Sequence, residues 1–323
     1  MSSTELLKPQ PAVFSIGVDI GGTKTHAVVL APTGEITHEV TVPTGFGADA
    51  VVATAVSAIH GVAEASGIAV RDFSTIGVGI PGAVDPGTGR VSHALNLGLE
   101  QLDLGFELET RLGVRVHVEN DVNAAALGAF HTLALPASAS MGYLNLGTGL
   151  AAGLVLRGEL WRGSRGAAGE IGHILVDPHG PLDLDGQPGG LEVMASGSGI
   201  ARQWAHHGDA SVTAMFQAAA TGDAAAITIR DRLFDGVAAS VRILVLTLDV
   251  DLVVIGGGIT AVGAVLTEGV TAVFDSWSEA SPFIGSLELA GRVKFVPHGT
   301  PVAALGAARL GAHVLSAHPQ EVA

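Results

Sequence analysis

Apolar and polar positions fall into two periods along this chain. Short apolar runs at 13–19, 25–31, 35–42, 74–80 and 114–118 predict strands, and apolar residues at helical spacing predict helices at 47–66, about 101–112 and 121–135. A second set begins near 140. It predicts strands at 141–146 and 150–157, a long loop from 158 to 190, and helices at about 191–207, 211–219 and 224–247. A strand at 251–255, a helix at 262–276, a strand at 292–297 and a helix at 301–315 finish the chain. Strands and helices interleave in both sets, so the pattern predicts an α/β fold with helices on the faces of mixed sheets.

The two sets open alike. In the first, an apolar strand runs into Asp19-Ile20-Gly21-Gly22-Thr23-Lys24, and a second strand follows at once. In the second, the strand at 141–146 runs into Asn145-Leu146-Gly147-Thr148-Gly149 and a return strand. Such a hairpin can offer backbone N–H groups to a phosphate, because glycine lets the main chain approach closely and take positive φ. The repetition predicts an internal duplication, with a nucleotide in a cleft between two lobes. Neither hairpin is a Walker A loop, because no Gly-Lys-[Ser/Thr] occurs.

Other motifs are weaker. Gly77-Val78-Gly79-Ile80-Pro81-Gly82 matches the letters of a dinucleotide fingerprint, but Pro81 and the turn-rich stretch Asp85 to Gly89 follow where a helix would have to begin. A loop lining a ligand site is the expectation there. Val114 to Val118 reads as a strand ending in Glu119-Asn120-Asp121, with an Ala-rich helix starting immediately. A carboxylate there can cap the helix, or face a ligand as the base that takes a hydroxyl proton. Glu170 and His173 stand three apart among small residues, which fits either a loop near a ligand or an ordinary loop Glu and core His. Asp183-Leu184-Asp185-Gly186 resembles part of a calcium loop, but Pro181 would hold its first position without a ligand atom. Gly256-Gly257-Gly258 after a strand is either a plain strand–helix turn or one that lets an adenine or ribose come close.

Composition narrows the chemistry. The net charge of −15 argues against nucleic acid, since no basic stripe exists to neutralise phosphates. Of three lysines, one is Lys24 in the first glycine hairpin. There is no cysteine, so disulfides, thiolate zinc sites and cysteine nucleophiles are ruled out, as suits a cytoplasmic protein. Residues 1–12 lack the features of a signal peptide. The uncharged stretch from Thr132 to Leu156 is long enough to cross a membrane, but Pro136, Asn145 and its glycines predict two strands instead.

Together these segments resemble the ROK family of bacterial sugar kinases, from about residue 13 to 315 and in the family's order. The resemblance implies an actin-like ATPase (ribonuclease H-like) fold of two lobes with a central cleft. A small lobe would span 1–130, completed by a C-terminal helix at 301–323, and a large lobe 131–300. Asp19, Gly21, Gly22, Thr23 and Lys24 would form the first phosphate loop, with Asp19 holding Mg²⁺ through water. Gly147, Thr148 and Gly149 would form the second, and Gly256, Gly257 and Gly258 would sit by the adenosine of ATP. Asp121 would be the catalytic base. Gly82, Asn96, Asn120, Asp121, Glu170, His173 and Glu192 would bind the sugar.

The reaction implied is ATP-dependent phosphorylation of a hexose, glucose foremost, by a homodimeric cytoplasmic enzyme. N-acetylmannosamine, N-acetylglucosamine, mannose or fructose as acceptor, and polyphosphate as donor, stay open. A sugar-binding regulator without catalysis is the reading of another class, weakened by the complete phosphate and base set. The family's repressors carry a DNA-binding segment before the first loop, whereas 18 residues precede Asp19 here.

One departure is specific. The family usually has a zinc site built from a His in the place of His173 and three cysteines. Those three positions read Asp183, Asp185 and Gly190 here. Four ligands are needed and Gly190 offers no side chain, so no structural zinc is expected; His173, Asp183 and Asp185 could still form a weaker site for a harder ion, with a metal-free loop the expectation. Another contact must then orient His173, and one of the two aspartates is the candidate.

Overall fold

The structure, a computed structural model, describes residues 13–205, 208–297 and 299–311. They divide into two compact units, one of residues 13–121 with 304–311, the other from Val122 to Ala303.

The first unit is built on β1 (Ser15–Ile20), β2 (Lys24–Leu30) and β3 (Ile36–Pro43), followed by α1 (Ala48–Ser66), β4 (Thr75–Ile80), β5 (Ala83–Asp85), β6 (Arg90–Ala94), β7 (Leu99–Leu102), α2 (Leu104–Leu112) and β8 (His117–Asn120). Its main sheet has the order β3-β2-β1-β4-β8. β1, β2 and β3 are antiparallel neighbours, and β4 and β8 run parallel to β1. α1 buries Val51, Val52, Ala55, Ile59 and Val62 at helical spacing, in one core with Ile16, Val18, Ile76 and Val78 of the sheet. α1 is also the one helix among the described residues long and apolar enough to cross a membrane, and that core accounts for its character.

The second unit opens with α3 (Asp121–Thr132), whose first residue belongs to the first unit. It continues through β9 (Met141–Leu146), β10 (Leu150–Leu156), β11 (Glu159–Trp161), α4 (Leu191–Ala195), α5 (Gly197–Gln203), α6 (Val212–Ala220), α7 (Ala224–Leu248), β12 (Leu252–Gly256), α8 (Ala264–Ala280), α9 (Pro282–Ser286) and β13 (Val293–Phe295). α10 (Val302–Ala307) spans the boundary back into the first unit. Its sheet has the order β11-β10-β9-β12-β13, again three antiparallel neighbours followed by two strands parallel to the first. The stretch from Thr132 to Leu156 therefore ends as the β9–β10 hairpin, as its glycines predict.

Several local expectations shift. The strand expected at 114–118 pairs only from His117 to Asn120, because the Val116 N–H donates to Glu109 Oε1 (3.1 Å) instead of to a strand. Residues 83–102 form a small antiparallel sheet, β5-β6-β7, and the helix expected from 101 starts at Leu104. β11 lies inside the expected long loop. The helix expected at 191–207 breaks at Ser196, whose side chain caps α5 by accepting from Gly199 N. The helix expected at 301–315 is described only to residue 311.

Two glycines explain how α10 meets the first sheet. A Cβ on Gly17 would overlap Ala304 O, and one on Gly77 would overlap Ala307 O. The helix backbone lies directly on β1 and β4, so Gly77 of the rejected fingerprint serves packing.

Candidate functional site

In the first unit, β1 carries Asp19 to the end of the sheet. The Gly21 N–H closes the turn onto Lys24 O (3.0 Å), and Gly22, Thr23 and Lys24 are exposed. Residues just before α1 brace this turn: Thr44 N donates to Thr23 O (3.0 Å), and the Thr25 and Thr44 hydroxyls share a hydrogen bond of 2.8 Å. The sequence reading missed Thr44. Asn96 comes to the same turn, its Nδ2 3.6 Å from where a Cβ on Gly22 would sit.

Asp19, Gly79 and Glu119 stand in one row across β1, β4 and β8. Asp121 begins α3 two residues beyond Glu119, at the head of a helix buried from Val122 to Phe130. Glu119, itself buried, accepts the Asn120 N–H (3.0 Å), while Asn120 Nδ2 donates to Gly82 O (3.0 Å). Gly82 takes φ 99°, and a Cβ there would press on Ser92 O. β6 and Asn120 therefore hold the Pro81-Gly82 turn between them.

Asp19 is partly open to solvent, yet its carboxyl is pushed up to about 7 from an ordinary 3.8. Desolvation by the surrounding protein is the main cause and the charge of Asp121 adds to it, while Lys24 pulls the other way. An acid pair held this way is a donor set that a divalent cation would relieve.

In the second unit the Gly147-Thr148-Gly149 turn is tied down from outside. Gly197 N donates to Gly147 O (2.8 Å) and Ser198 N to Thr148 O (3.0 Å). This is the physical reason the helix breaks at Ser196, since a continuous helix would spend those N–H groups on its own carbonyls. Glu192 reaches the same hairpin and accepts from Leu150 N (3.2 Å). Glu170 precedes and His173 ends a 3₁₀ turn, Ile171–His173, whose Gly172 packs against Leu150 O and the Glu192 stem. Glu170, His173 and Glu192 are thus gathered beside the start of β10, the first two exposed.

Gly257 takes φ 94°, with Leu146 O and Asn145 Oδ1 against it. Beside Gly258 opens a cavity of about 360 Å³, with Val212, Phe216, Val262 and Val265 as its apolar lining and Thr213, Gln217 and Arg230 as its polar groups. It is large enough for a heterocyclic base. The sequence reading named only the glycine. The α6 and α7 residues lie within an ordinary amphipathic pattern, which carries no signal of a cavity.

Zinc does not fit the segment between His173 and Glu192. Asp183 Oδ1 accepts from Asp185 N (2.9 Å) and Gln187 N (2.8 Å), so it closes its own turn and does not orient His173 as expected. Among the described residues no three His, Asp or Glu side chains converge to hold a metal ion.

The ROK family model matches residues 15–313. A glucokinase of Halalkalibacterium halodurans is 31% identical over 282 residues, covering 81% of this chain and 86% of that protein. Among solved structures, a ROK hexokinase from Thermus thermophilus superposes with a TM-score of 0.76 at 28% identity, covering 95% of this chain and all of that one. A ROK family glucokinase from Streptomyces griseus, solved with glucose and AMPPNP, gives a TM-score of 0.73 at 30% identity over 92% of this chain and 98% of that one.

Proposed function

Because this chain belongs to the ROK family and has its actin-like ATPase fold, we propose that it transfers the γ-phosphoryl group of ATP to the 6-hydroxyl of glucose. The observation that carries the reading is Asp121 at the head of a buried helix, one residue from Asn120 and close enough to Asp19 to perturb it. The sugar oxygen attacks the γ-phosphorus, the bond from that phosphorus to the β,γ-bridging oxygen breaks, and Asp121 takes the hydroxyl proton. Asn120 and the Gly82 turn orient the sugar with Asn96, and Glu170, His173 and Glu192 take other hydroxyls. Backbone N–H groups of Gly21 to Lys24 and of Gly147 to Gly149, with the Thr23, Thr148 and Lys24 side chains, hold the phosphates. The base enters the cavity beside Gly258, and Gly256 and Gly257 let the nucleoside approach. Asp19 would hold Mg²⁺ through water, and the ion would supply charge neutralisation on the phosphates. Fast ADP release with glucose and ATP is the expected result of an assay over glucose, mannose, fructose and the two N-acetylhexosamines, with ATP or polyphosphate as donor. Sugar binding without turnover on any combination would overturn the kinase reading. A homodimer is the expected assembly, and light scattering of the purified protein tests it.

A further inference from the structure

The segment from Ile174 to Gly190 leaves the site after His173 and returns just before Glu192. Where the family pattern has zinc ligands it has two aspartates and a glycine, and zinc does not fit the geometry present. The segment nevertheless has a ladder of its own. At its tip, Asp183 Oδ1 takes the N–H groups of Asp185 and Gln187, while Asp183 N donates to Gln187 O (2.9 Å). The next rungs are the Leu182–Pro188 bridge and Gly189 N to Pro181 O (2.9 Å). Then come Val176 N to Gly189 O (2.9 Å), the Leu175–Gly190 bridge and Leu191 N to Ile174 O (3.0 Å). The last rung joins the end of the Glu170–His173 turn to the first residue of α4, one residue before Glu192.

Apolar burial does not hold the outer part. Leu182 is 63% exposed and Leu184 86%. Hydrogen bonds must therefore hold this stretch, and the one side-chain group that closes its tip is the Asp183 carboxylate, which binds two N–H groups at once.

We propose that Asp183 is a positioning residue that replaces a metal ion as the closure of this segment, and that it thereby sets Glu170 and His173 relative to Glu192. The effect on sugar binding rests on the assignment of those three residues to sugar hydroxyls. The closure itself does not.

Two variants of the full chain test it. Asp183→Ala removes both acceptor bonds, whereas Asp183→Asn keeps an amide oxygen that can accept them. Hydrogen exchange without substrate is expected to quicken at residues 185–189 in Asp183→Ala and to match the parent in Asp183→Asn. In Asp183→Ala the KM for glucose should rise about tenfold, the scale of losing one or two such bonds, with the KM for ATP and kcat nearly unchanged. Asp183→Asn should restore the glucose KM. Dialysis of the parent against a zinc chelator should leave its thermal midpoint where it was. Unchanged exchange in Asp183→Ala, an Asn variant as impaired as the Ala variant, a glucose KM that does not move, or a midpoint lowered by zinc removal would each overturn the proposal. Failure of the parent to phosphorylate any sugar would defeat the kinase reading alone, because exchange reads the closure without substrate.

Discussion

The two glycine hairpins share a backbone plan and differ in charge. β1 and β9 are both six residues long and buried everywhere except at the fifth position, and both pair with a seven-residue antiparallel return strand. That fifth residue is Asp19 in one and Asn145 in the other. Around Asn145 the hairpin is clamped, with α5 N–H groups on its carbonyls and the Glu192 carboxylate on the Leu150 N–H. Around Asp19 the turn is open, and a carboxylate is kept near Asp121 at the cost of a pKa raised to about 7. The same backbone plan thus stands in two settings. One turn is tied down by outside hydrogen bonds, and the other is open beside a carboxyl that burial and Asp121 hold up.

Substitutions can break this contrast. The largest effect is expected from Asp121→Asn, which should lower kcat by about 10²–10⁴-fold, the range of general-base catalysis, while calorimetry still shows glucose binding. Near-normal turnover would remove Asp121 from the base role.

Asp19→Asn makes the first hairpin like the second. It should abolish most activity at millimolar Mg²⁺ and yet stabilise the protein. The sign follows from the raised pKa. An acid that holds its proton more tightly when folded costs nothing at pH values below its ordinary 3.8, costs progressively more as pH rises, and costs fully above about 7. The thermal midpoint of Asp19→Asn should exceed that of the parent at pH 8, and the gap should narrow below pH 7 and close as pH approaches 3.8. A variant less stable than the parent at pH 8 would contradict the buried-charge account.

The converse change, Asn145→Asp, puts a carboxylate at the clamped hairpin. Repulsion near a protein surface is worth about 1–4 kcal/mol at contact distances, so the KM for ATP should rise roughly tenfold with little change for glucose. An unaltered ATP KM would mean that the second hairpin does not face phosphate.

The smallest effect concerns packing. Gly77→Ala forces a Cβ into a helix carbonyl and should cost about 1–3 kcal/mol, read by chemical denaturation. Gly142→Ala in β9 meets only the Leu244 side chain, 3.1 Å away, and should cost less because a side chain can move. Equal costs would show that α10 does not lie on the glycines of the first sheet.

Much of this was legible from local pattern. Period-2 runs and glycine turns locate both hairpins and most of both sheets, because strand burial and turn chemistry are written in neighbouring residues. The Asn120-Asp121 pair was legible because a strand ending in polar residues before a helix is a local signal. Thr44 was not, since nothing near it in sequence says that it braces a turn twenty residues earlier. Nor was the cavity beside Gly258, whose lining comes from α6, α7, the turn after β12 and the start of α8.

By itself, then, the sequence determined the order of elements, the two glycine turns, the charged first loop and the absence of thiolate ligands, all of which depend on residue identity and short spacing. Only the tertiary structure decided the rest. The helix breaks at Ser196 because its N–H groups are needed by a loop fifty residues away. Asp19 titrates near 7 because burial and Asp121 surround it. Asp183 turned from a candidate partner of His173 into the closure of its own turn. In each case the deciding contact joins groups through space, with a free energy that no local run of residues contains.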